Sequence, residues 1–458
     1  MTVNIPNWTS ANLSDISLVV RGITFPASAK LNEWSIDRVC CLRTSNIQKK
    51  LDLRDVYFVD RSYVKREEQI VQPGDILMSM ANSYELVGKV ARADNLIYPS
   101  AFGAFLAAVR STDVINGSYL FNFLKSSEAQ RKLREGSSQT TNIANISAST
   151  LGKLEIPLPP LAEQRRIADK LDTTLARVDT LNDRLARITP LLKRFRQSVL
   201  AAATSGRLTE DWRSTTGFPL WQKKLLLDVC LKITDGEHIS PRKINEGIPL
   251  LTAKNVLDGD LDFSVKDFVS REDAEKFWLR CKPQINDILI CSRGTIGRCA
   301  LVREEIDFCL MGTVILVKPD ANLIIPKYLF HYIASPLIQE VLKGASGATA
   351  VSALYLRDIK KLELLLPSRE EQTEIVRRVE ILFAFADRLE ARLQSAQTAA
   401  ERLTPALLAK AFRGELVPQD PSDEPATELL RRLREARAAD TASKPKRGRA
   451  AKAPTVSE

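Results

Sequence analysis

Apolar residues recur three and four positions apart through two long stretches of the chain. In the first, Ile167, Leu171, Thr174, Val178, Leu181, Leu185, Ile188, Leu192, Phe195 and Val199 keep the spacing. In the second it is kept by Ile375, Val379, Leu382, Ala386, Leu389, Leu393, Ala396, Ala400, Leu403 and Leu407. Charged and amide residues fill the faces between them, which is the heptad pattern of a coiled coil, so two long helices that pair with each other are predicted. Packing of each helix against its own globular unit is the alternative. Bulky Ile188 and Leu192 correspond to Ala396 and Ala400, so two such helices could interdigitate. The first helix opens at Pro159-Pro160-Leu161-Ala162-Glu163, with proline suited to N1 and an acid at the positive end of the macrodipole. The second opens at Ser368-Arg369-Glu370-Glu371, a capping box in which Ser368 accepts from the N3 amide and Glu371 reaches back to the cap. Gly206 and Gly414 stand where a C′ residue ends each helix. Pro190 and Pro405 predict a bend in each.

The stretches before these helices carry short apolar or alternating runs, such as Asp75-Ile76-Leu77-Met78 and residues 310–317, broken by Gly, Pro, Asn and Ser. These are strand signals, and residues 118–133 and 327–342 have helical spacing, so each stretch is predicted to be α+β.

The chain is written twice. Ile5-Pro6-Asn7-Trp8 aligns with Phe218-Pro219-Leu220-Trp221, Ser45-Asn46-Ile47 with Lys254-Asn255-Val256, and Asp75-Ile76-Leu77 with Asp287-Ile288-Leu289. Tyr119-Leu120-Phe121 aligns with Tyr328-Leu329-Phe330, and Glu163-Gln164 with Glu371-Gln372. These matches keep their order at offsets of 208 to 213 residues, which chance does not produce. The fold class expected is therefore α+β in two tandem repeats, each an α+β unit followed by a long helix, with the two helices antiparallel. The segments are 1–157, first globular unit; 158–216, first helix and connector; 217–366, second globular unit; 367–418, second helix; and 419–458, a short helix and a flexible basic tail. A helix of about 40 residues rises roughly 60 Å, so the two globular units are expected at opposite ends of the rod, related by a pseudo-two-fold axis. Two such units match the half-sites of duplex DNA, with the rod as a ruler.

The length of 458 residues suits about three structural units, and 44% hydrophobic content excludes disorder throughout. No apolar run is long enough to span a membrane and no secretory leader begins the chain, so a cytoplasmic location is expected. Seven cysteines without a C-x-x-C pair read as reduced, packed thiols. The net charge of +10 makes polyanion binding plausible. Part of the excess lies in Lys444, Lys446, Arg447, Arg449 and Lys452, where a solubilising tail and a nucleic-acid contact are equally open.

No catalytic or metal-binding spacing is found. Gly88-Lys89 lacks the rest of a phosphate loop, and His238 and His331 stand alone. Phe102-Gly103-Ala104-Phe105 lacks the second glycine of an S-adenosylmethionine loop, and no Asn-Pro-Pro-aromatic or Asp-Pro-Pro-aromatic run exists. Candidate DNA-reading residues lie instead in polar loops. Ser137, Ser138, Gln139, Thr140 and Asn142, and in the second repeat Ser346 and Thr349, offer hydroxyl and amide groups for phosphates or base edges. Asn82, Ser83, Tyr84 and Lys89 are matched by Arg293, Thr295 and Arg298, cations beside glycine that can approach a phosphate or a guanine edge. Lys254 and Asn255 belong to the same set. Arg61, Lys65 and Arg66 have no counterpart and are either specificity determinants or a solvated face.

These residues carry a resemblance. Leu158-Pro159-Pro160-Leu161-Ala162-Glu163-Gln164-Arg165-Arg166-Ile167, its repetition over 367–375, Pro73-Gly74-Asp75-Ile76-Leu77 with Asn286-Asp287-Ile288-Leu289, and Leu208-Thr209-Glu210-Asp211-Trp212-Arg213 resemble the DNA specificity subunits of type I restriction-modification systems. The resemblance implies two target-recognition domains reading the halves of a split, asymmetric site on double-stranded DNA, with an antiparallel coiled coil fixing the gap. It also implies a non-catalytic chain. Two modification subunits would supply S-adenosylmethionine chemistry, and restriction subunits would supply ATP- and Mg-dependent chemistry; no cofactor is expected on this chain. A stand-alone DNA-binding regulator is the alternative. Ala345 and Gly347 depart from the pattern by making the second polar loop poorer in hydroxyls than the first.

Overall fold

The computed structural model describes residues 5–140, 143–217, 220–264, 267–345 and 353–443. The first repeat runs β1 (Thr9–Asn12), α1 (Leu13–Ile16), β2 (Ser17–Arg21), β3 (Arg38–Leu42), β4 (Tyr57–Asp60), β5 (Ile76–Ser79), β6 (Ala81–Asn82), β7 (Val90–Arg92), β8 (Ser100–Phe102) and β9 (Leu106–Ser111). It continues through α2 (Gly117–Lys125), α3 (Ser127–Glu135), β10 (Ser138–Gln139), β11 (Ala144–Asn145), α4 (Ala148–Gly152) and β12 (Glu155–Leu158) into α5 (Leu161–Thr204). After α6 (Glu210–Thr216) the second repeat follows the same plan: β13 (Gln222–Leu225), β14 (Cys230–Asp235), β15 (Ile248–Leu251), β16 (Phe268–Val269), α7 (Arg271–Arg280), β17 (Ile288–Cys291), β18 (Cys299–Leu301), β19 (Cys309–Leu310) and β20 (Val314–Pro319). Then come α8 (Pro326–Ile333), α9 (Pro336–Ala345), α10 (Leu356–Lys360), β21 (Glu363–Leu366), α11 (Arg369–Phe412) and α12 (Ala426–Ser443).

Sheet order makes the duplication physical. An antiparallel sheet β2-β9-β5-β7 in the first repeat has its equal in β14-β20-β17-β18, and β4-β3-β8 has its equal in β16-β15-β19, each containing one parallel pair. The pairs β1-β12 and β13-β21 tie the start of each repeat to the strand before its long helix. Close approach requires glycine at one matched place. A Cβ on Gly22 would stand 2.2 Å from the Gly103 carbonyl oxygen, and one on Gly236 would stand 2.2 Å from the Leu310 oxygen.

Two compact units result, residues 1–184 with 397–458, and residues 185–396, so each long helix begins in one unit and ends in the other. In the first unit, Ile167 and Leu171 near the start of α5 share a core with Leu408, Ala411 and Phe412 at the end of α11. In the second, Val199, Leu200 and Ala203 near the end of α5 share a core with Ile375, Val376 and Val379 at the start of α11. Start packs with end in both units, as antiparallel pairing requires. α12 adds Ala426 and Leu430 to the first core.

Several expectations are corrected. The helices predicted over 118–133 and 327–342 are each two helices. Ser126 breaks the first, its extended backbone letting its hydroxyl accept from the Ala129 amide at 3.2 Å, and Pro336 starts the second half of the other. The strand predicted over 310–317 is interrupted by a turn between β19 and β20. α7 was not expected. In the rod, Leu181 and Leu403 are 40% exposed, whereas Val178, Leu185, Ile188, Leu192, Leu382, Leu389 and Leu393 are buried or half-buried. Asn182 and Thr404 take the inward positions instead, because a helix of 3.6 residues per turn drifts from a strict 3.5-residue seam. Ala396 is also exposed. Both helices are continuous through Pro190 and Pro405.

Candidate nucleic-acid interface

The entrance to each long helix is a polar lock that ties the helix to the globular part of its own repeat. The Trp8 indole N–H donates to Glu163 Oε2 at 2.9 Å, and Trp221 donates to Glu371 Oε2 at 2.9 Å. Gln164 Oε1 accepts from the Asn116 amide at 2.8 Å while its Nε2 donates to the Pro159 carbonyl at 3.0 Å; Gln372 repeats both bonds with Ile325 and Pro367 at 2.7 and 3.1 Å. The hydroxyls of Tyr119 and Tyr328 donate to the Pro157 and Leu365 carbonyls, each at 2.7 Å. The capping box expected at Ser368 is therefore only half formed. Ser368 accepts from the Glu371 amide at 3.2 Å, but the buried Glu371 carboxylate takes Trp221 and the Thr209 hydroxyl, at 2.7 Å, rather than turning back to the cap.

In the first repeat two predicted loops meet in one small sheet, β10-β11-β6. Asn82 pairs with Ala144, and Ser138 with Asn145, so strand pairing joins the turn around Ser83 and Tyr84 to the strands that carry Gln139 and Ala144. Ser138, Gln139 and Thr140 are exposed. The Ser137 and Thr140 hydroxyls donate to the Arg134 and Ile143 carbonyls at 2.7 and 3.1 Å, which leaves their oxygen lone pairs free to accept. Gly88, at φ +83°, turns the chain beneath Lys89. Gln130 Nε2 pins that turn by donating to the Gly88 carbonyl at 2.8 Å and to the Leu124 carbonyl at 2.7 Å. Gln339 does the same for Gly297 and Ile333, at 2.8 and 2.9 Å. Lys89 Nζ donates to Gln48 Oε1 at 2.9 Å, which draws the loop after β3 to the same place.

The second repeat presents Arg293 and Thr295, both exposed, around Gly294 at φ +74°. Arg298 is half-buried, donating to the Val256 carbonyl at 3.4 Å and lying 3.7 Å from Asp258. Lys254 is exposed. Asn255 is engaged within its own loop: its Oδ1 accepts from the Thr252 amide at 2.9 Å and its Nδ2 donates to the Asp262 carbonyl at 3.2 Å, as Asn46 does with Arg43 and Asp52. Asn142, Ser346 and Thr349 lie outside the described residues. Arg61, Lys65 and Arg66 are exposed after β4, an outer strand of a different sheet, with Lys65 Nζ donating to the Ser62 carbonyl at 2.9 Å and Arg61 lying 3.4 Å from Glu67.

Side chains that, Tyr84 apart, the loop motifs did not single out gather beside the first pair of loops. A cleft of about 310 Å³ is lined by Tyr84, Lys125, Ser127, Gln130, Arg131, Arg134 and Glu135. Lys49 pairs with Asp179 of α5 at 2.5 Å, and burial lowers the Lys125 pKa, opposed by the same Asp179. Phe105 is 67% exposed although its carbonyl accepts from the Met80 amide at 2.8 Å, so a fixed turn presents an aromatic ring next to β6 and β11. The helical spacing of Arg131 and Arg134 was the available signal for the cleft, while the exposure of Phe105 had none in the sequence.

The remaining candidate chemistry is packed away. All seven cysteines are free, six are buried, and burial pushes thiols such as Cys40 up to about 11. Burial lowers His331 to about 4, which leaves it neutral. Among the described residues no cluster of His, Cys, Asp or Glu could hold a metal ion, and no helix is long and apolar enough to cross a membrane.

Comparison with known proteins matches this architecture twice over. The family model described as type I restriction modification DNA specificity domain matches residues 6–189 and again 220–396. The chain is 35% identical over 463 residues to the type I restriction enzyme EcoKI specificity subunit of Escherichia coli (strain K12), covering 96% of this chain and 97% of that one. It is 33% identical to the StySPI specificity subunit of Salmonella potsdam, covering 97% and 98%. Among solved structures, the HsdS subunit from Thermoanaerobacter tengcongensis shares the fold at a TM-score of 0.55 and 18% identity, covering 90% of this chain and 98% of that one. A chain from a study of complex assembly in the type I R-M system does so at 0.65 and 17%, covering 90% and 99%. With two copies of the domain and full-length relatives above 30% identity, the chain belongs to the type I restriction-modification DNA specificity family.

Proposed function

We propose that this chain is a sequence-specific DNA-binding subunit whose two repeats each read one part of a bipartite, asymmetric target and which directs partner methyltransferase and restriction subunits to it. It performs no chemistry of its own. S-adenosylmethionine, ATP and Mg belong to the partners, two modification subunits flip and methylate the target base, and the assembly works on DNA in the cytoplasm. The observation that carries this reading is the double match of one specificity domain within one chain, with the same tryptophan-glutamate lock at the entrance to each helix. Repeats that differ in their matched loops, Asn82-Ser83-Tyr84 in one and Arg293-Gly294-Thr295 in the other, suit two unlike half-sites.

Co-purification with the modification subunits, followed by methylation mapping with and without this chain, tests the reading. Methylation at a split site is expected only when the chain is present. Exchange of residues 1–155 for those of another family member is expected to change one half of the site, and a change in both halves would refute separate readers. A stand-alone regulator would instead bind its operator tightly with no partner.

A further inference from the structure

The cleft beside Tyr84 has the makings of an anion site. Its lining carries three cations, Lys125, Arg131 and Arg134, against one carboxylate, Glu135. Glu135 is already shared with Arg131, whose Nη1 donates to both carboxylate oxygens at 2.8 and 2.9 Å. Arg134 is different. Its Nε is buried and has no hydrogen-bond partner among the described residues. A buried N–H without an acceptor is destabilising, and an incoming anionic oxygen would remove that cost. Lys125 is held below its usual pKa by burial, so its ammonium is poorly hydrated and also gains from an anion.

Position identifies the anion. Tyr84 is two residues beyond Asn82 of β6, and the Arg134 carbonyl accepts from Ser137, the residue before β10. The cleft is thus bonded into both loops that present the exposed polar groups of the first repeat. An anion seated there would lie beside whatever those loops touch. At the corresponding positions of the second repeat, Ala334, Glu340 and Lys343 replace Lys125, Arg131 and Arg134, so the concentration of positive charge is not repeated.

We propose that this cleft is a phosphodiester-binding subsite, taking one backbone phosphate of duplex DNA beside the first half-site, with Arg134, Arg131 and Lys125 as donors. The assignment rests on the DNA-reading function above. Backbone contacts set affinity and register without carrying sequence information, so the first repeat holds DNA through a phosphate anchor that the second repeat lacks.

The test uses the full chain assembled with its modification subunits, on the mapped target and on a duplex with the first half-site scrambled, with Kd measured across salt concentrations. Arg134→Gln and Arg131→Gln should each weaken binding by about tenfold at low salt, by the same factor on both duplexes. Each should also flatten the slope of log K against log salt by about one. Glu135→Gln, which releases Arg131, should tighten binding severalfold, an effect of opposite sign that a purely structural role would not give. Lys276→Gln, on the exposed face of α7 where Lys276 pairs with Glu272 at 2.9 Å, should leave the slope unchanged. An unchanged slope in Arg134→Gln, a loss confined to the mapped target, or weakening by Glu135→Gln would each overturn the proposal. So would a free-anion site, seen as thermal stabilisation by inorganic phosphate in the wild type but not in Arg134→Gln while the DNA slope stays constant. Failure of the wild type to distinguish the two duplexes would count against the DNA-reading function instead, and the slope comparison would still be readable.

Discussion

Thr209 donates its hydroxyl to Glu371 Oε1 at 2.7 Å, and the matching oxygen of the matching lock, Glu163 Oε1, is buried with no partner among the described residues. Arg213 also lies 3.3 Å from Glu371 Oε1. The connector after the first helix thus completes the lock of the second unit. At the position equivalent to Thr209, the segment after the second helix carries Val417, which has no hydroxyl to offer.

Thr209→Val is accordingly expected to destabilise the second unit by about 1 kcal/mol, because a buried carboxylate oxygen loses its hydroxyl donor and keeps only Arg213 beside it. Urea denaturation checks this, and a loss below about 0.5 kcal/mol would show that the bond contributes little.

Two carboxylates near the starts of the long helices, Glu163 and Glu374, respond oppositely to pH. Burial raises the Glu163 carboxyl above its usual pKa, with the Trp8 bond and Arg166 opposing. The native state therefore binds this proton more tightly than the unfolded chain. Its contribution to stability is fully present below the ordinary carboxyl pKa and is lost as pH rises through the raised native value. Glu374, in the second turn of α11, behaves oppositely. Its bond with Arg377, aided by Arg378, holds it at about 2, so its contribution is present above the ordinary value of 4.5 and is lost as pH falls toward 2. Denaturation midpoints across pH should show Glu163→Gln removing a fall in stability with rising pH, and Glu374→Gln removing a rise. The same slope in wild type and variants would contradict the assignment.

The glutamine staples offer a test of half-site independence. Gln130→Leu frees the Gly88 turn and is expected to relax discrimination at the first half-site, while Gln339→Leu frees the Gly297 turn and relaxes only the second. Each lost bond is worth on the order of 1 kcal/mol in positioning. Methylation of single-base target variants reads the outcome, and relaxation of both halves by one substitution would show that the staples do not act locally.

Pairing of the rods in the second unit can be probed at Arg196. Its Nη2 reaches Asp387 at 2.7 Å and Glu390 at 2.9 Å, with the guanidinium 5.5 Å from the Phe383 ring centroid. These groups are partly exposed, so Arg196→Ala should cost only about 1 kcal/mol, less at high salt. Arg196→Lys should recover part of it, since an ammonium cannot form the planar fork. A salt-independent loss would assign the effect to packing alone.

Gly22→Ala should destabilise the first unit by several kcal/mol, because its Cβ would meet the carbonyl oxygens of Gly103 and Phe102 at 2.2 and 2.3 Å, and backbone cannot yield as a side chain can. Limited proteolysis should show that unit opening first.

Much of the architecture was legible. The repeat, the long helices and their glycine ends follow from local patterns, and the family resemblance followed from motifs at the helix entrances. Other features were hidden by competition between local and distant partners. Glu371 satisfies the capping-box rule on paper, yet Trp221 and Thr209, 150 and 162 residues away, claim its carboxylate. Leu181 and Leu403 satisfy the heptad, yet helical drift turns them outward.

By itself the sequence determined what repeats and what is periodic: two copies of one α+β unit, two apolar helical stripes, and polar loops at matched offsets. Those properties are encoded in the order of neighbouring residues. Tertiary structure decided which loops meet, which oxygens are left without a donor, and where Lys125, Arg131 and Arg134 gather around a cleft. Such relations depend on residues far apart in the chain being buried together, and burial sets the energetic worth of a charge or a hydrogen bond.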